Sequence, residues 1–527
     1  MTDWDLSAKK EALTLDNQNK TRSILGSSAA VIAVMLCSRL LGFLRQAVIA
    51  GVFGASVGTD IYFISSEFAV NVAGALASAL TTALVTVYIA VAAKEDRDRA
   101  GQLASKVLTL FLMIAACLLV LLDLFAPQVG LALAPKYDDP AQRAELSKYL
   151  RLFSVTFLFT AFQSIYAAVL NANDIFVPGK LYGVVFNPIA IFCILVLGDR
   201  LGVLALVYAY YIANILQMFL LYLRARKRFS FRPSLNFRDP HLRQVGYLAL
   251  PILLSNIVIQ LNGVIDKAIC SYLGVGMASD YTYAHTLEQF VTGTFTATIT
   301  LVLLSRFADL AARGDNPGMD KLLRRAVTSM LLILAPVALI AILCSRDIVT
   351  LVYMRGKFTS EDVRATALAL CGFSVGFPLV AFREIMIRVH FAYRKTKKPM
   401  VISTVSVALN MALSLILSRF FGVFGVTVAT SASAALATAL LVRSVKAELP
   451  EYRFFSMGPS LWKCLLALCL SALAIWGLGE IVAAGALIRA AVRIVAGCGV
   501  YVLVLLVLRC AELTELLDLA KAKLKRG

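Results

Sequence analysis

The sequence predicts an all-α integral membrane protein, with about 14 transmembrane helices in two duplicated six-helix lobes around a central cavity plus two C-terminal helices. Three observations carry that prediction. Of the 527 residues, 60% are hydrophobic and 16% charged, and the mean hydropathy is +0.80, well outside the range of soluble domains. Apolar runs of about 20 residues recur along the chain, each long enough to cross a hydrocarbon core of roughly 30 Å as a helix. Separated patches of sequence also repeat at one constant offset. A β-barrel would show alternating segments of ~10 residues instead, and these are absent.

Taken in order, the expected spans lie near residues 26–53, 59–93, 104–133, 147–172, 177–198, 201–224, 244–273, 278–311, 322–354, 362–393, 398–419, 422–444, 458–479 and 484–509. With the N-terminus inside, the inside connections collect "KEDRDR" (94–99), "RARKRFSFRPSLNFRDPHLR" (224–243), "YRKTKK" (393–398) and the tail "KAKLKRG". The opposite connections, such as "GASVGT" and "GVGMA", are short and nearly uncharged. Roughly 34 Lys and Arg fall inside or flank the inner ends, against about 7 outside, so both termini are expected in the cytoplasm. The organisation is then a cytoplasmic N-terminal segment (1–25), an N-terminal lobe (26–224), a basic linker (225–243), a C-terminal lobe (244–444), two further helices (458–509) and a basic tail (510–527). Met1 to Arg22 is polar and mixed in charge, without the apolar core or small-residue cleavage site of a signal peptide, so the first apolar segment is expected to stay as a span. The same loop bias accounts for the net charge of +19, and no nucleic-acid partner is expected. The ten cysteines sit mostly alone in apolar runs with no CxxC spacing, which reads as core packing rather than a disulfide framework or a metal site.

The repeat is visible in two places. "GVFGASVGTDIYF" (51–63) aligns with "SYLGVGMASDYTY" (271–283), matching Gly54 to Gly274 and Asp60 to Asp280 at an offset of 220. "RLGVLALVYA" (200–209) aligns with "FFGVFGVTVA" (420–429), matching Gly202 to Gly422 at the same offset. Each copy holds six spans, an even number, so the copies keep the same orientation and are related by an axis along the membrane normal. Such bundles enclose a cavity that opens alternately to each side, which makes a transporter the default reading.

Charges inside the spans are the candidate site, because an ionised group at mid-bilayer costs roughly 3 kcal/mol or more and normally faces protein or water. Arg39 and Arg45 in span 1 are about 9 Å apart along the axis and some 120° around it, so they suit one wide wall. A guanidinium keeps its proton and fits phosphate bidentately, which suggests an anionic, phosphorylated cargo. Asp60 opens span 2, and Glu67 lies two turns deeper on the same face. Spans 7 and 8 hold Asp266, Lys267, Asp280, His285 and Glu288, the last two an i,i+3 pair. Span 10 holds Arg383, Glu384 and Arg388, where Glu384 and Arg388 read as a self-satisfied i,i+4 pair. Asp60, Asp280 and Arg383 are equally compatible with solvated span ends, and His285 with a hydrogen-bonded core residue. Arg39, Arg45, Asp60, Glu67, His285 and Glu288 are the expected substrate-binding residues, and Asp266 and Asp280 the expected ion-coupling ones. No catalytic residue and no metal ligand is expected, since there is no GxxxxGK phosphate loop and three histidines offer no zinc-hydrolase spacing.

At the level of motifs, "SRLLGFLRQAVIAGVFGASVGTD" (38–60), "YAHTLEQFVTGTF" (283–295), "MRGKFTSEDVRATALAL" (354–370) and "FAYRKTKKP" (391–399) resemble the MurJ (MviN) lipid II flippases of the multidrug/oligosaccharidyl-lipid/polysaccharide exporter superfamily. The resemblance covers roughly residues 25–445. It implies a transporter, not an enzyme, in the bacterial inner membrane. The implied activity is transfer of a polyprenyl-diphosphate-linked glycan from the cytoplasmic to the outer leaflet by alternating access. Arg39 and Arg45 match the family's two essential span-1 arginines, Asp60 matches its acidic residue opening span 2, and the last two spans would hold the lipid tail. Two departures stand out. The family's arginine-bearing stretch in span 2 is replaced by "AVNVAGALAS" (69–78), and His285 and Thr286 stand where Asp and Arg are usual. The cargo is therefore either lipid II itself or a different lipid-linked unit of an exopolysaccharide or capsule system. An ion-coupled exporter of small cationic compounds, using Asp60, Glu67, Asp266 and Asp280, is the alternative from another class. No cofactor is expected beyond Na+ or H+ coupling, or the membrane potential alone, which supplies ~2.3 kcal/mol per charge per 100 mV. The chain is expected to be a monomer, with the bilayer and glycan-synthesising or polymerising membrane enzymes as partners.

Overall fold

The computed structural model describes residues 30–234, 236, 238–449, 458–481, 486–510 and 513. The expected segment 1–25 and, apart from Cys510 and Leu513, the expected tail 510–527 lie outside the described residues. Among the described residues the elements are helices: α1 (Ala30–Phe53), α2 (Val57–Lys94), α3 (Arg97–Leu133), α4 (Pro140–Ser154), α5 (Thr156–Ala172), α6 (Tyr182–Leu201), α7 (Leu204–Ala225) and α8 (Pro240–Leu273). There follow α9 (Met277–Arg313), α10 (Asn316–Leu343), α11 (Ser345–Tyr353), α12 (Ser360–Val375), α13 (Phe377–Ala392), α14 (Lys397–Glu448), α15 (Gly458–Ile481) and α16 (Ala486–Val507). Among the described residues eleven stretches are long and apolar enough to cross a membrane, and the pair α12 and α13, bent by 41°, makes twelve.

Three single expected spans are broken helices. Span 147–172 is divided between α4 and α5, span 322–354 between α10 and α11 at Cys344, and span 362–393 between α12 and α13 at Gly376. Hydropathy cannot see the breaks at Val155 and Gly376, because the residues at them are as apolar as their neighbours, and the short polar run 345–347 after Cys344 is flanked on both sides by apolar residues. Conversely, the expected spans 398–419 and 422–444 run together as α14, whose 52 residues contain one non-helical position, Gly422.

The duplication is written in the backbone. Helices α2 and α9 begin at Val57 and Met277, α4 and α12 at Pro140 and Ser360, and α5 and α13 end at Ala172 and Ala392, each pair offset by 220. The next turn repeats as well. Asp174 (φ 60°) and Arg394 (φ 57°) both take the left-handed conformation. The N–H groups of Ile175 and Lys395 then donate to Leu170 and His390 carbonyls, each at 2.9 Å. This is a Schellman closure in both copies, built on residues with no chemical similarity. Gly202 (φ 58°, ψ −142°) and Gly422 (φ 58°, ψ −137°) also share one conformation. A Cβ at either would meet open space, so the backbone angle alone demands glycine.

The chain packs as two compact units. One comprises residues up to Arg45, Ala73–Val120 and Val155–Leu253. In it α1 lies on α6 where Gly183 leaves room for Ser38, and Asn187 Nδ2 donates to the Ser38 carbonyl at 3.1 Å. The basic connection between α7 and α8 is strapped onto α3. Lys106 pairs closely with Asp239, the N–H groups of Arg232 and Ser234 donate to Ser105 and Thr109 at 3.3 Å, and His241 meets Glu95 at 2.8 Å. Burial raises the Asp239 carboxyl, but the Lys106 ammonium and the His241 and Leu242 N–H groups outweigh it and hold the group below the usual carboxylate range.

The second unit comprises Gln46–Val72, Leu121–Ser154 and the chain from Leu254 onward. Its core joins α9, α10, α13 and α14 through Phe307, Leu323, Val327, Met386 and Leu441, all fully buried. The last two helices are tied to it by charge. Asp347 on α11, 4% exposed, accepts from Arg489 Nη2 at 2.9 Å and Arg493 Nη1 at 2.7 Å on α16. Arg493 also donates to the Leu343 and Ile475 carbonyls, and Tyr501 donates to Leu332 at 3.0 Å.

Replacing Gly202 or Gly422 by Ala should destabilise by about 1–3 kcal/mol, read as a lower midpoint of thermal unfolding in detergent. Gly246→Ala, in the interior of α8 with nothing near its Cβ position, should be neutral or stabilising by up to ~1 kcal/mol in the same assay. Asp347→Ala leaves two arginines without their carboxylate and should cost about 3–5 kcal/mol, with protease sensitivity rising first in α15 and α16.

Candidate functional site

Helix α1 carries the two span-1 cations and is fixed in orientation by its contact with α6. Ser38 and Gly42 sit against Asn187, whose Nδ2 is 2.7 Å from the Gly183 carbonyl and so is itself held in place. The neighbouring Phe186 lies under Arg45, with the guanidinium carbon 4.7 Å from the ring centroid. Arg45 Nε is buried and, among the described residues, finds no hydrogen-bond acceptor. A buried charged donor left without an acceptor costs about 1–3 kcal/mol or more, so a phosphate oxygen is the natural complement. Arg39 is half-buried one and two-thirds turns earlier on the same helix.

The other expected residues belong to the second unit, apart from Arg39 and Arg45. Asp60 is completely buried and is occupied by the start of α9. Its carboxylate accepts from Gly276 N at 2.6 Å, Ser279 N at 2.7 Å and Ser279 Oγ at 2.5 Å, with Tyr137 Oη at 3.5 Å. An anion that takes the free N–H groups of a helix N-terminus satisfies both the helix dipole and its own lost hydration. Asp280, its counterpart in the repeat, is 1% exposed and accepts from Thr366 Oγ1 on α12 at 2.8 Å. Neither aspartate is at a solvated span end.

Glu67 is half-buried and forms a close ion pair with Lys267 of α8, which is 3% exposed and lies 5.6 Å from the Phe63 ring centroid. The adjacent Asp266 faces elsewhere, as neighbours on a helix must. It accepts from Ser414 Oγ at 3.0 Å, Tyr281 Oη at 3.3 Å and Asn262 Nδ2 at 3.4 Å. Beyond it Asn410 donates to Thr430 at 3.1 Å, and the Asn410 and Asn262 side-chain oxygens find no donor among the described residues. His285 Nε2 lies 3.8 Å from Glu288 Oε2 and 3.3 Å from Gln289 Nε2, and its ring stacks on Tyr281. Glu288 also accepts from Thr292 at 2.9 Å. Thr286, at the position of an expected arginine, donates to the Thr282 carbonyl. Ala73, at the other, is 1% exposed. Glu384 does pair with Arg388, at 3.5 Å, and takes Arg383 as well, at 3.4 Å.

Sequence reasoning therefore found most of the ionisable groups but not their partners. Lys267 was visible as a charge in span 7, yet nothing in the sequence links it to Glu67, 200 residues earlier. Asp347, Arg489 and Arg493, which the sequence reading did not single out, form a buried cluster. The hydroxyl and amide groups around Asp266 give no signal beyond their polarity. Among the described residues no group of three or more His, Cys, Asp and Glu is arranged to hold a metal ion.

Comparison with known proteins accords with this geometry. Residues 49–496 match the model of the family described as lipid II flippase MurJ. A probable lipid II flippase MurJ of Rickettsia prowazekii is 25% identical over 403 residues, covering 75% of this chain and 79% of that protein. The corresponding protein of Haemophilus influenzae is 26% identical over 461 residues, covering 84% and 90%. Among solved structures, a lipid II flippase MurJ in an inward closed conformation superposes with a TM-score of 0.78 at 22% identity, covering 90% of this chain and 97% of that one. An inward-facing multidrug resistance MATE family transporter of the MOP superfamily superposes at 0.65 with 14% identity, covering 81% and 98%. The latter two likenesses speak for the fold, and the family match extends over most of the chain: this is a membrane-spanning transporter that belongs to the lipid II flippase MurJ family.

Proposed function

We propose that the protein moves a polyprenyl-diphosphate-linked glycan, lipid II or a closely related cell-surface unit, from the cytoplasmic to the outer leaflet of a bacterial inner membrane. The observation that carries this reading is Arg45: a permanent cation in an apolar helix, stacked on Phe186, with a buried donor that meets no acceptor. Arg39 and Arg45 together are the diphosphate-binding cations. Family membership supplies the transport direction and the class of cargo. In this reading the chain has 14 spans, α14 counting as two on either side of Gly422, with both termini cytoplasmic. The spans form two six-helix lobes, 26–224 and 244–444, around a central cavity. The protein acts as a monomer beside the enzymes that make and polymerise the glycan.

The acidic residues divide by environment. Glu67, His285 and Glu288 are half-buried and retain accessible surface, which suits contact with cargo. Asp60 has its oxygens filled by α9, so it holds that helix start rather than touching the cargo. Asp266 and Asp280 are the candidates for coupling to Na+ or H+, and Asp266 has the richer oxygen and amide surroundings. The membrane potential alone also favours outward movement of an anion. The absence of arginine at Ala73 and Thr286 favours a head group different from that of relatives that carry both.

Complementation of a strain depleted of its lipid II flippase tests the reading. The wild-type chain should restore growth, while Arg39→Ala and Arg45→Ala should insert normally and lower complementation at least about 100-fold, as expected for loss of charge-assisted phosphate contacts. Growth restored equally by both variants would remove the diphosphate assignment. Growth restored by none, together with flipping of a labelled exopolysaccharide carrier in vesicles, would move the cargo to the related lipid-linked units.

A further inference from the structure

Gln163 on α5, Tyr182 and Phe186 on α6, and Tyr210 and Asn214 on α7 form one continuous cluster in the unit that holds Arg45. The ring of Phe186 is the junction. Arg45 lies over it at 4.7 Å, Tyr182 stacks on it with centroids 5.6 Å apart and planes 15° from parallel, and Tyr210 meets it edge-on at 6.0 Å. Asn214 closes the other side. Its Nδ2 donates to Tyr182 Oη at 3.3 Å and to the Tyr210 carbonyl at 2.7 Å, and its Oδ1 accepts from Gln163 Nε2 at 2.9 Å. Tyr182 and Phe186, and likewise Tyr210 and Asn214, are four residues apart and so share a helix face.

The members differ in exposure. Phe186, Tyr210 and Asn214 are 7%, 7% and 3% exposed and make a floor. Gln163 and Tyr182 are only half-buried and make its rim. Amide networks between membrane helices often serve only to hold the helices together, and that accounts for Asn214 and for the Nε2 group of Gln163, which donates to it twice. It does not account for the Gln163 amide oxygen. A primary amide on a spanning helix that keeps part of its surface accessible is disfavoured against lipid by about 2 kcal/mol or more, so it belongs on a polar-facing wall. That wall is the one carrying Arg45.

Its chemistry is specific. Gln163 Nε2 donates to both the Asn214 carbonyl, at 3.2 Å, and Asn214 Oδ1, at 2.9 Å, so the group it offers a ligand is its amide oxygen, an acceptor for a sugar hydroxyl, and an aromatic face matches the apolar C–H face of a pyranose. In a glycan joined to a diphosphate, the first sugar is bonded directly to the phosphate, so its reader must lie within one residue's width of the phosphate-binding cation. Tyr182 and Arg45 touch the same ring. We infer that Gln163 and Tyr182 form a subsite for the sugar attached to the diphosphate, contiguous with Arg45. This rests on the diphosphate-linked reading of the cargo and adds to it the residues that discriminate the head group.

Two probes separate the inference from that reading, each bound to the full chain in nanodiscs: undecaprenyl diphosphate, and the same lipid carrying a disaccharide. The wild type should bind the glycosylated lipid more tightly. Gln163→Ala and Tyr182→Ala should weaken that probe by about five- to tenfold and leave the bare diphosphate unchanged, as loss of a few polar and stacking contacts predicts. Gln163→Leu and Tyr182→Phe, which keep the packing volume, should lose part of the same increment and guard against misfolding. Arg45→Ala should weaken both probes alike. Equal loss for both probes in the Gln163 and Tyr182 variants, no loss in either, or a wild type that does not distinguish the probes, would overturn the subsite. Unchanged binding of both probes by Arg45→Ala would instead overturn the diphosphate reading.

Discussion

One buried carboxylate organises much of the larger unit. Asp60, contributed by α2, sits on the N-terminus of α9 and takes two of its free N–H groups and a hydroxyl. A helix start buried without such a partner would leave several donors stranded, and a carboxylate buried without donors would be worse. Each group makes the other tolerable. The consequence is that a segment from the first copy of the repeat is pinned to the second copy's opening helix, and Lys267, Asp266 and Asp280 are arranged around that junction. The repeat is not chemically symmetric there: Asp280 meets a threonine hydroxyl where Asp60 meets a helix end.

Elsewhere charge in the spans is managed by three different solutions. Lys267 and Glu67 neutralise each other as a buried pair, Asp347 is shared between two arginines, and Arg45 is stacked on an aromatic ring with one donor left over. Asp347 is closed, since both of its oxygens are met inside the protein, whereas Glu67 keeps accessible surface beside Lys267. Arg383 and Arg388 also bury an Nε without an acceptor, but each is paired with Glu384; Arg45 has no ion pair among the described residues, and this is why the cargo assignment rests on it rather than on the number of charges. The same distinction separates Asn214, enclosed, from Gln163 at its edge.

Class and much of the repeat were legible in sequence because they depend on hydrophobicity and on glycine. The offset read from Gly202 and Gly422 is also the offset of helix starts and of the left-handed turns at Asp174 and Arg394. Those turns were invisible beforehand, since nothing about an aspartate or an arginine announces a positive φ. The breaks at Gly376 and within 147–172 were missed for a related reason: they interrupt a helix without changing polarity, and the polar residues that follow Cys344 are too few to divide a long apolar window. For the site, span-borne charges stood out because the bilayer penalises them. Partnership did not, because a contact such as Glu67 with Lys267 joins residues far apart in the chain and is decided by packing.

The clamp at Asp347 sets a mechanical condition on the transport cycle. Two arginines of α16 converge on one buried carboxylate and on the carbonyls of Leu343 and Ile475, so α15 and α16 are bolted to the hinge between α10 and α11. Whatever displacement α10 and α11 undergo, the final helical hairpin travels with them as a rigid passenger. Any acyl chain resting on that hairpin would be dragged through the same stroke.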